Sequence, residues 1–262
     1  MIISVLGLGD AGSAISSVLA DAGLTVRGFD IRRTSVPGID ICSRMESAVV
    51  DADYILSATS STVATKILKD ALPFLKKDAV YVDLNTTPPG LKRQLSQIMN
   101  QSHFVDGAIM KPIDAGATDL PIIVAGQAAT TFAEVMSSYG LQIEVVGEKV
   151  GDAATRALIA NIFTNGITSV VIDALWAAEA LGLEEWAIEE FRKEFEQSSA
   201  RTLQYYLDRA QRHAKREQVA VSDIVSMLNE AGYESLMTAP TELVLSHIIH
   251  AKKVPFSQNE DQ

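Results

Sequence analysis

Residues 2–12 read Ile2-Ile3-Ser4-Val5-Leu6-Gly7-Leu8-Gly9-Asp10-Ala11-Gly12. A short β-branched apolar run passes directly into GxGxxG, and AGSAISSVLADAG continues with helical character. The next strand-like run, TVRGFD, ends in Asp30, 18 residues after Gly12. Strand before, helix after and an acid about 20 residues on turn a weak glycine motif into a dinucleotide fingerprint. Gly7 permits the tight turn, Gly9 lets a pyrophosphate meet bare backbone, and Gly12 lets the helix sit close to the strand. Gly7, Leu8, Gly9, Asp10, Ala11 and Gly12 are therefore the expected phosphate-binding turn, aided by unpaired N–H groups at the helix N-terminus. Asp30, followed by Ile31 and Arg32, suits the ribose hydroxyls and repels a 2′-phosphate, which favours NAD. Arg32 and Arg33 leave NADP possible.

Outward from this turn, residues 1–150 alternate in type. IDIC, YILSAT, VYVDLN and HFVDGA have strand length, with helical TKILKDALPFL and GLKRQLSQIMN among them. PIIVAG and IEVVGE are two later strand candidates. This alternation predicts an α/β fold, a doubly wound and mainly parallel sheet forming an N-terminal Rossmann domain. From Asp152 to Leu181 there is no proline, and only Gly166 interrupts. At about 1.5 Å per residue this is a rod of about 45 Å. Leu158, Ile159, Ile162, Phe163, Ile167, Val170, Val171 and Leu175 make it apolar nearly all round. Such a helix is expected to be buried between domains or subunits, and a homodimer is expected. Helical patterns run to about Lys253, with turn signals at Gly182, Gly232 and Pro240, so residues 151–262 form an all-α C-terminal domain.

Composition narrows the function. With 47% hydrophobic and 21% charged residues, the 262-residue chain is folded rather than disordered. A net charge of −11 repels phosphate backbones and anionic lipid, so neither nucleic acid nor a membrane surface is an expected partner. No run of about 18 apolar residues occurs, so no bilayer-spanning helix is expected. No basic region precedes the first strand, so no signal peptide is expected. One cysteine, Cys42, excludes an internal disulfide or a cysteine-rich metal site and suits a reducing cytoplasm. His103, His213, His247 and His250 form no ligand cluster in the sequence, and no metal is expected.

GLGDAGSAISSVLADAG, VDLNTTPP, VDGAIMKP and GDAATRALIANIF together resemble the β-hydroxyacid dehydrogenase family, also called phosphogluconate-dehydrogenase-like. The resemblance spans about residues 1 to 215 and is strongest to a poorly characterised branch of NAD(P)-dependent oxidoreductases. It implies a Rossmann domain, a helical domain used for dimerisation, and an active site in the cleft. It also implies that Thr59 and Ser60 pass under the cofactor, that Asn85 and Thr86 stand beside the nicotinamide, and that Asn161 contacts substrate. Two positions depart from the family. Its substrate-gripping Ser-Gly-Gly reads Met110-Lys111-Pro112 here, and its proton-donating lysine reads Ala157.

Ala157, Asn161, Thr164, Asn165 and Thr168 fall on one helical stripe. A polar stripe must find partners or face water, and Asn161, Thr164 and Asn165 with Met110 and Lys111 are the expected substrate contacts. An amide orients a hydroxyl or carbonyl oxygen but supplies no proton at neutral pH. Lys111, Arg156 and His213 are the candidates for charge or proton handling, although Asp152 stands four residues before Arg156 and can pair with it. The expected activity is hydride transfer between a nicotinamide and a small anionic hydroxy or keto substrate. The alternatives are an imine reductase needing no lysine donor, and a non-catalytic NAD(H)-binding sensor or scaffold dimer.

Overall fold

The computed structural model describes residues 1–32, 35–111 and 120–257, so Arg33 and Pro112 lie outside the described residues. The chain divides into two compact units, Met1–Ile162 and Phe163–Gln262.

In the first unit the described strands are β1 (Ile2–Leu6), β2 (Thr25–Phe29), β3 (Asp40–Ile41), β4 (Tyr54–Ser57), β5 (Val80–Asp83), β6 (Phe104–Ile109), β7 (Pro121–Ala125) and β8 (Gln142–Gly147). Between them lie α1 (Asp10–Asp21), α2 (Met45–Val49), α3 (Ala64–Ala71), α4 (Pro89–Met99) and α5 (Ala129–Ser137). Among these residues the strands form one sheet in the order β3-β2-β1-β4-β5-β6-β7-β8. Among the described residues every strand pairing is parallel except β6 with β7. The sequence-predicted doubly wound sheet is thus the observed one.

Strand alternation sends successive residues to opposite faces, and each face has its own core. Ile3, Val5, Leu56 and Val82 pack with Ile15 and Leu19 of α1 and Phe132 and Met136 of α5. Leu6, Ile55 and Tyr81 pack instead with residues of α2, α3 and α4, including Val49, Leu68 and Leu95. The order reverses at β1, whose neighbours β2 and β4 lie on opposite sides. In open α/β sheets that reversal leaves a crevice at the carboxyl ends of the strands.

The helix α6 (Asp152–Ala180) begins in the first unit and continues into the second, which also holds α7 (Glu184–Gln197), α8 (Ala200–Glu230) and α9 (Thr238–Ala251). Gly182 and Gly232, at φ +68° and +77°, follow the ends of α6 and α8 as the sequence predicts. Pro240 behaves differently from the expected interruption. It stands in the first turn of α9, where a missing N–H removes no helix hydrogen bond. A buried carboxylate organises the approach to α9. Asp173 of α6 accepts hydrogen bonds from Tyr233 Oη at 2.7 Å, Ser235 Oγ at 2.6 Å, and the N–H groups of Leu236 and Met237 at 2.9 and 3.1 Å. Burial pushes this carboxyl up, but the four donors outweigh it and hold its pKa at about 2.

Among the described residues of the single chain the long helix keeps an apolar surface: Ile162 is 73% exposed and Phe163 61%, and Val170 and Trp176 are exposed too. One expectation for it needs correction, since it is long and apolar enough, by length and composition, to cross a membrane, contrary to the sequence reading. Interspersed Thr, Asn, Ser and Gly break any continuous apolar run without making the average polar, so a search for unbroken runs missed it. A helix that packs against a partner meets the same criterion.

Candidate functional site

The glycine turn is built by sterics. Gly7 sits at φ +90°, and a Cβ there would lie 2.5 Å from the carbonyl oxygen of Ala58. A Cβ on Gly12 would lie 1.9 Å from the Gly7 carbonyl oxygen, so only glycine lets α1 start this close to β1. Gly9 differs, since a Cβ there would meet nothing within 4 Å. The protein itself leaves that space open beside bare main chain. Gly9 is the N-cap of α1 and no side chain caps that helix. Open space and uncapped N–H groups together fit a diphosphate. Asp30 is held in place beside the turn. One carboxylate oxygen accepts the Leu8 N–H at 2.7 Å, and the other accepts the Arg32 N–H at 2.7 Å. Ile31 and Arg32 are exposed in the loop after β2.

A cavity of about 390 Å³ opens at the carboxyl ends of the strands. Its walls include Gly9, Asp10 and Ala11 from the turn, Thr59 after β4, Asn85 and Thr86 after β5, and Lys111 after β6. Seven residues singled out from the sequence therefore line one space. Ser60 is exposed next to it in sequence, its hydroxyl 2.8 Å from that of Thr62.

Asn85 is buried, and its amide is fully committed. Its Oδ1 accepts from the Thr59 N–H at 2.5 Å and from Thr59 Oγ1 at 3.2 Å. Its Nδ2 donates to Ser57 Oγ at 3.1 Å and to the Asp83 carboxylate. An amide has two donors and two acceptor positions, so nothing remains for a substrate oxygen. The side chain fastens the loop after β4 to the loop after β5.

Behind Asn85 lies a group that the sequence reading missed. Lys92 of α4 is wholly buried. Its Nζ donates to the carbonyls of Asp83 at 2.6 Å and Gly107 at 2.9 Å. It lies 2.9 Å from the Asp83 carboxylate and 3.4 Å from that of Asp106. Asp83 and Asp106 face each other across the β5–β6 register. Two adjacent buried carboxylates need a cation, and Lys92 supplies it. The other Asp106 oxygen accepts the N–H groups of Gly151, Ala153 and Ala154 at 2.8, 3.1 and 3.2 Å, capping the start of α6 from within the sheet. A sequence signal existed: Lys92 is three residues before Leu95, on the face of α4 that must be buried.

The remaining candidates are not walls of this cavity. Met110 packs against Ala108, Ile123, Ala125, Ala153 and the buried Ala157. Asn161 is half-buried near the end of the first unit, while Thr164 and Asn165 belong to the second and are exposed. Part of the polar stripe satisfies itself, as Thr168 Oγ1 donates to the Thr164 carbonyl at 2.9 Å. Arg156 donates to the Asp152 carbonyl at 3.1 Å, not to the carboxylate that the spacing suggested. His213 lies in the second unit, in a groove of α8 and α9 with Arg212, Lys215 and Lys252. Among the described residues no three His, Cys, Asp or Glu side chains gather as a metal site.

Residues 2–147, more than half of the chain, match the family profile described as the NAD binding domain of 6-phosphogluconate dehydrogenase. An uncharacterised 28.5 kDa protein from Methanothermus fervidus is 23% identical over 259 residues, 95% of this chain and 99% of that one. An imine reductase from Myxococcus stipitatus, solved with NADP+, superposes with a TM-score of 0.81 at 20% identity, over 96% of this chain and 95% of that one. A conserved protein of unknown function, described as structurally similar to 3-hydroxyacid dehydrogenases, gives 0.58 at 24% identity, over 96% and 98%.

Proposed function

The chain belongs to the family that carries the NAD binding domain of 6-phosphogluconate dehydrogenase, and from that membership we propose an NAD(P)-dependent oxidoreductase acting on a small hydroxy or keto substrate that bears a negative charge. The observation that carries this reading is the single cavity that joins the glycine turn to Thr59, Asn85, Thr86 and Lys111. When bound, a nicotinamide ring supplies or accepts the hydride at C4.

The chain's own residues supply the rest. Gly9 and the first turn of α1 take the diphosphate. Asp30, already oriented by two N–H groups, takes the ribose hydroxyls and makes NAD the preferred cofactor. Lys111 is the cation among the cavity walls, and it attracts an anionic substrate. Asn161 orients the substrate oxygen. Of the proton-handling candidates, Lys111 is the one that lines this cavity. Titration with NADH and NADPH, followed by turnover with hydroxy and keto acids, tests this reading. Absence of saturable binding at millimolar levels overturns it.

One observation favours a second reading, an imine reductase. Ala157, where the resembled family has a lysine, is buried and packs with Ala108, Ile123, Ala125 and Ala153. Turnover of a ketone with an amine, and none of hydroxy acids, selects it. Tight NADH binding with no turnover on either panel selects the sensor or scaffold.

The exposed apolar surface of α6 supports a homodimer, since burial of such surface is worth about 25 cal/mol per Å². A reducing cytoplasm suits the unpaired Cys42.

A further inference from the structure

We propose that Lys92 is a positioning residue for the cofactor cavity: through Asp83 and Asn85 it sets the loop that carries Thr59, and through Asp106 it sets the first turn of α6. This rests on the reading that the cavity takes a nicotinamide nucleotide.

Two arms leave the one ammonium group. In the first, Lys92 holds one oxygen of Asp83, the other oxygen of Asp83 accepts from Asn85 Nδ2, and Asn85 Oδ1 accepts the Thr59 N–H. In the second, Lys92 faces one oxygen of Asp106, and the other accepts three N–H groups at the start of α6. The two ion pairs of Lys92 measure 2.9 Å to Asp83 and 3.4 Å to Asp106, and Lys92, Asp83, Asn85 and Asp106 are buried. In such surroundings a bonded chain polarises its members, so the position of Asn85 depends on the charge behind it. The donor directions leave Asn85 no alternative pose, since a backbone N–H only donates and a carboxylate only accepts. Thr59 and Asn85 are themselves cavity walls. A buried cation that touches no ligand thereby fixes the wall opposite the glycine turn.

A merely structural lysine would offset the charge of the two carboxylates in part and do nothing more, so the test separates stability from cavity shape. Replacing Lys92 alone strands two buried charges, so charge-balanced pairs are used: Lys92→Met with Asp83→Asn, and Lys92→Gln with Asp106→Asn. Each keeps the local net charge at −1, and the second pair retains the Asp83–Asn85 bond and an acceptor for α6. Two readouts are taken, hydrogen exchange without nucleotide and affinity for NADH against ADP-ribose. In the first pair the Thr59 amide should exchange at least tenfold faster while the Val82 amide, inside β5, changes less than threefold. NADH affinity should fall at least tenfold and ADP-ribose affinity less than threefold, because only the nicotinamide half needs that wall. The second pair should shift both readouts in the same direction by a smaller factor, and it carries the test alone if the first pair does not fold. Equal losses for NADH and ADP-ribose, or exchange rising uniformly across the sheet, overturn the proposal. If the unaltered protein binds no NADH at millimolar levels, the functional reading fails with it. If the unaltered protein binds but the folded pairs bind NADH equally well, only the role of Lys92 fails.

Discussion

The side-chain oxygen of Asn85 accepts the backbone N–H of Thr59 at 2.5 Å, across 26 residues of sequence. This bond joins the ends of two adjacent parallel strands, β4 and β5, where both turn into the cavity wall. It makes Asn85 a latch between the two loops. Asn85→Leu should leave the Thr59 N–H and an Asp83 oxygen buried without their partner, costing about 3 kcal/mol in urea denaturation. A loss under about 0.5 kcal/mol, the range of an ordinary surface change, would contradict the latch.

The glycine turn makes a paired prediction. Gly9→Val enters open space and should fold with native stability, yet weaken NADH at least tenfold by filling the diphosphate approach. Gly12→Ala forces a Cβ into the Gly7 carbonyl and should lower stability by at least about 2 kcal/mol. Thermal melts and fluorescence titration of the two variants separate the effects, and a destabilised Gly9→Val would count against the open approach.

Cofactor choice should turn on Asp30. Asp30→Ser removes the carboxylate that repels a 2′-phosphate while leaving a hydroxyl near the ribose. The ratio of NADH to NADPH affinity should fall about tenfold, a change of about 1.4 kcal/mol. An unchanged ratio would move the choice to the neighbouring arginines.

The Asp173 latch predicts a pH dependence. Its pKa of about 2 in the folded state is below the unfolded value of about 3.9. The folded state therefore favours the ionised form. Its stabilisation is complete above about pH 4 and is lost as the pH falls towards 2. Asp173→Asn should be less stable than the unaltered protein by about 2 kcal/mol at pH 7, with the gap narrowing between pH 4 and pH 2. Denaturant midpoints measured at pH 7, 4 and 2.5 check the sign. The pair also raises Tyr233, whose phenol is pushed up to about 12 chiefly by its hydrogen bond to this carboxylate.

The exposed surface of α6 predicts self-association. The unaltered protein should run as a dimer in light scattering, and Phe163→Glu with Trp176→Glu should convert it to a monomer, since both side chains are exposed in the single chain. Partition of the unaltered protein into neutral vesicles would instead favour a membrane role for this helix.

The sequence by itself determined the doubly wound sheet, the glycine turn and the position of Asp30, because each is dictated locally. Strand and helix periodicity repeat within a few residues, and a Cβ at Gly12 is impossible whatever lies elsewhere. The long helix was legible too, from the absence of proline, but its exposure was not, because composition does not say what covers a surface. Only the tertiary structure brought Asp83 beside Asp106, since that depends on the register of strands 23 residues apart, and only there does a buried Lys92 become necessary. The same packing committed the Asn85 amide, turned Arg156 back onto its own helix and sealed Ala157 in an apolar cluster. Hydrogen-bond capacity is used up by whichever neighbours arrive, and which neighbours arrive is a property of the assembled fold.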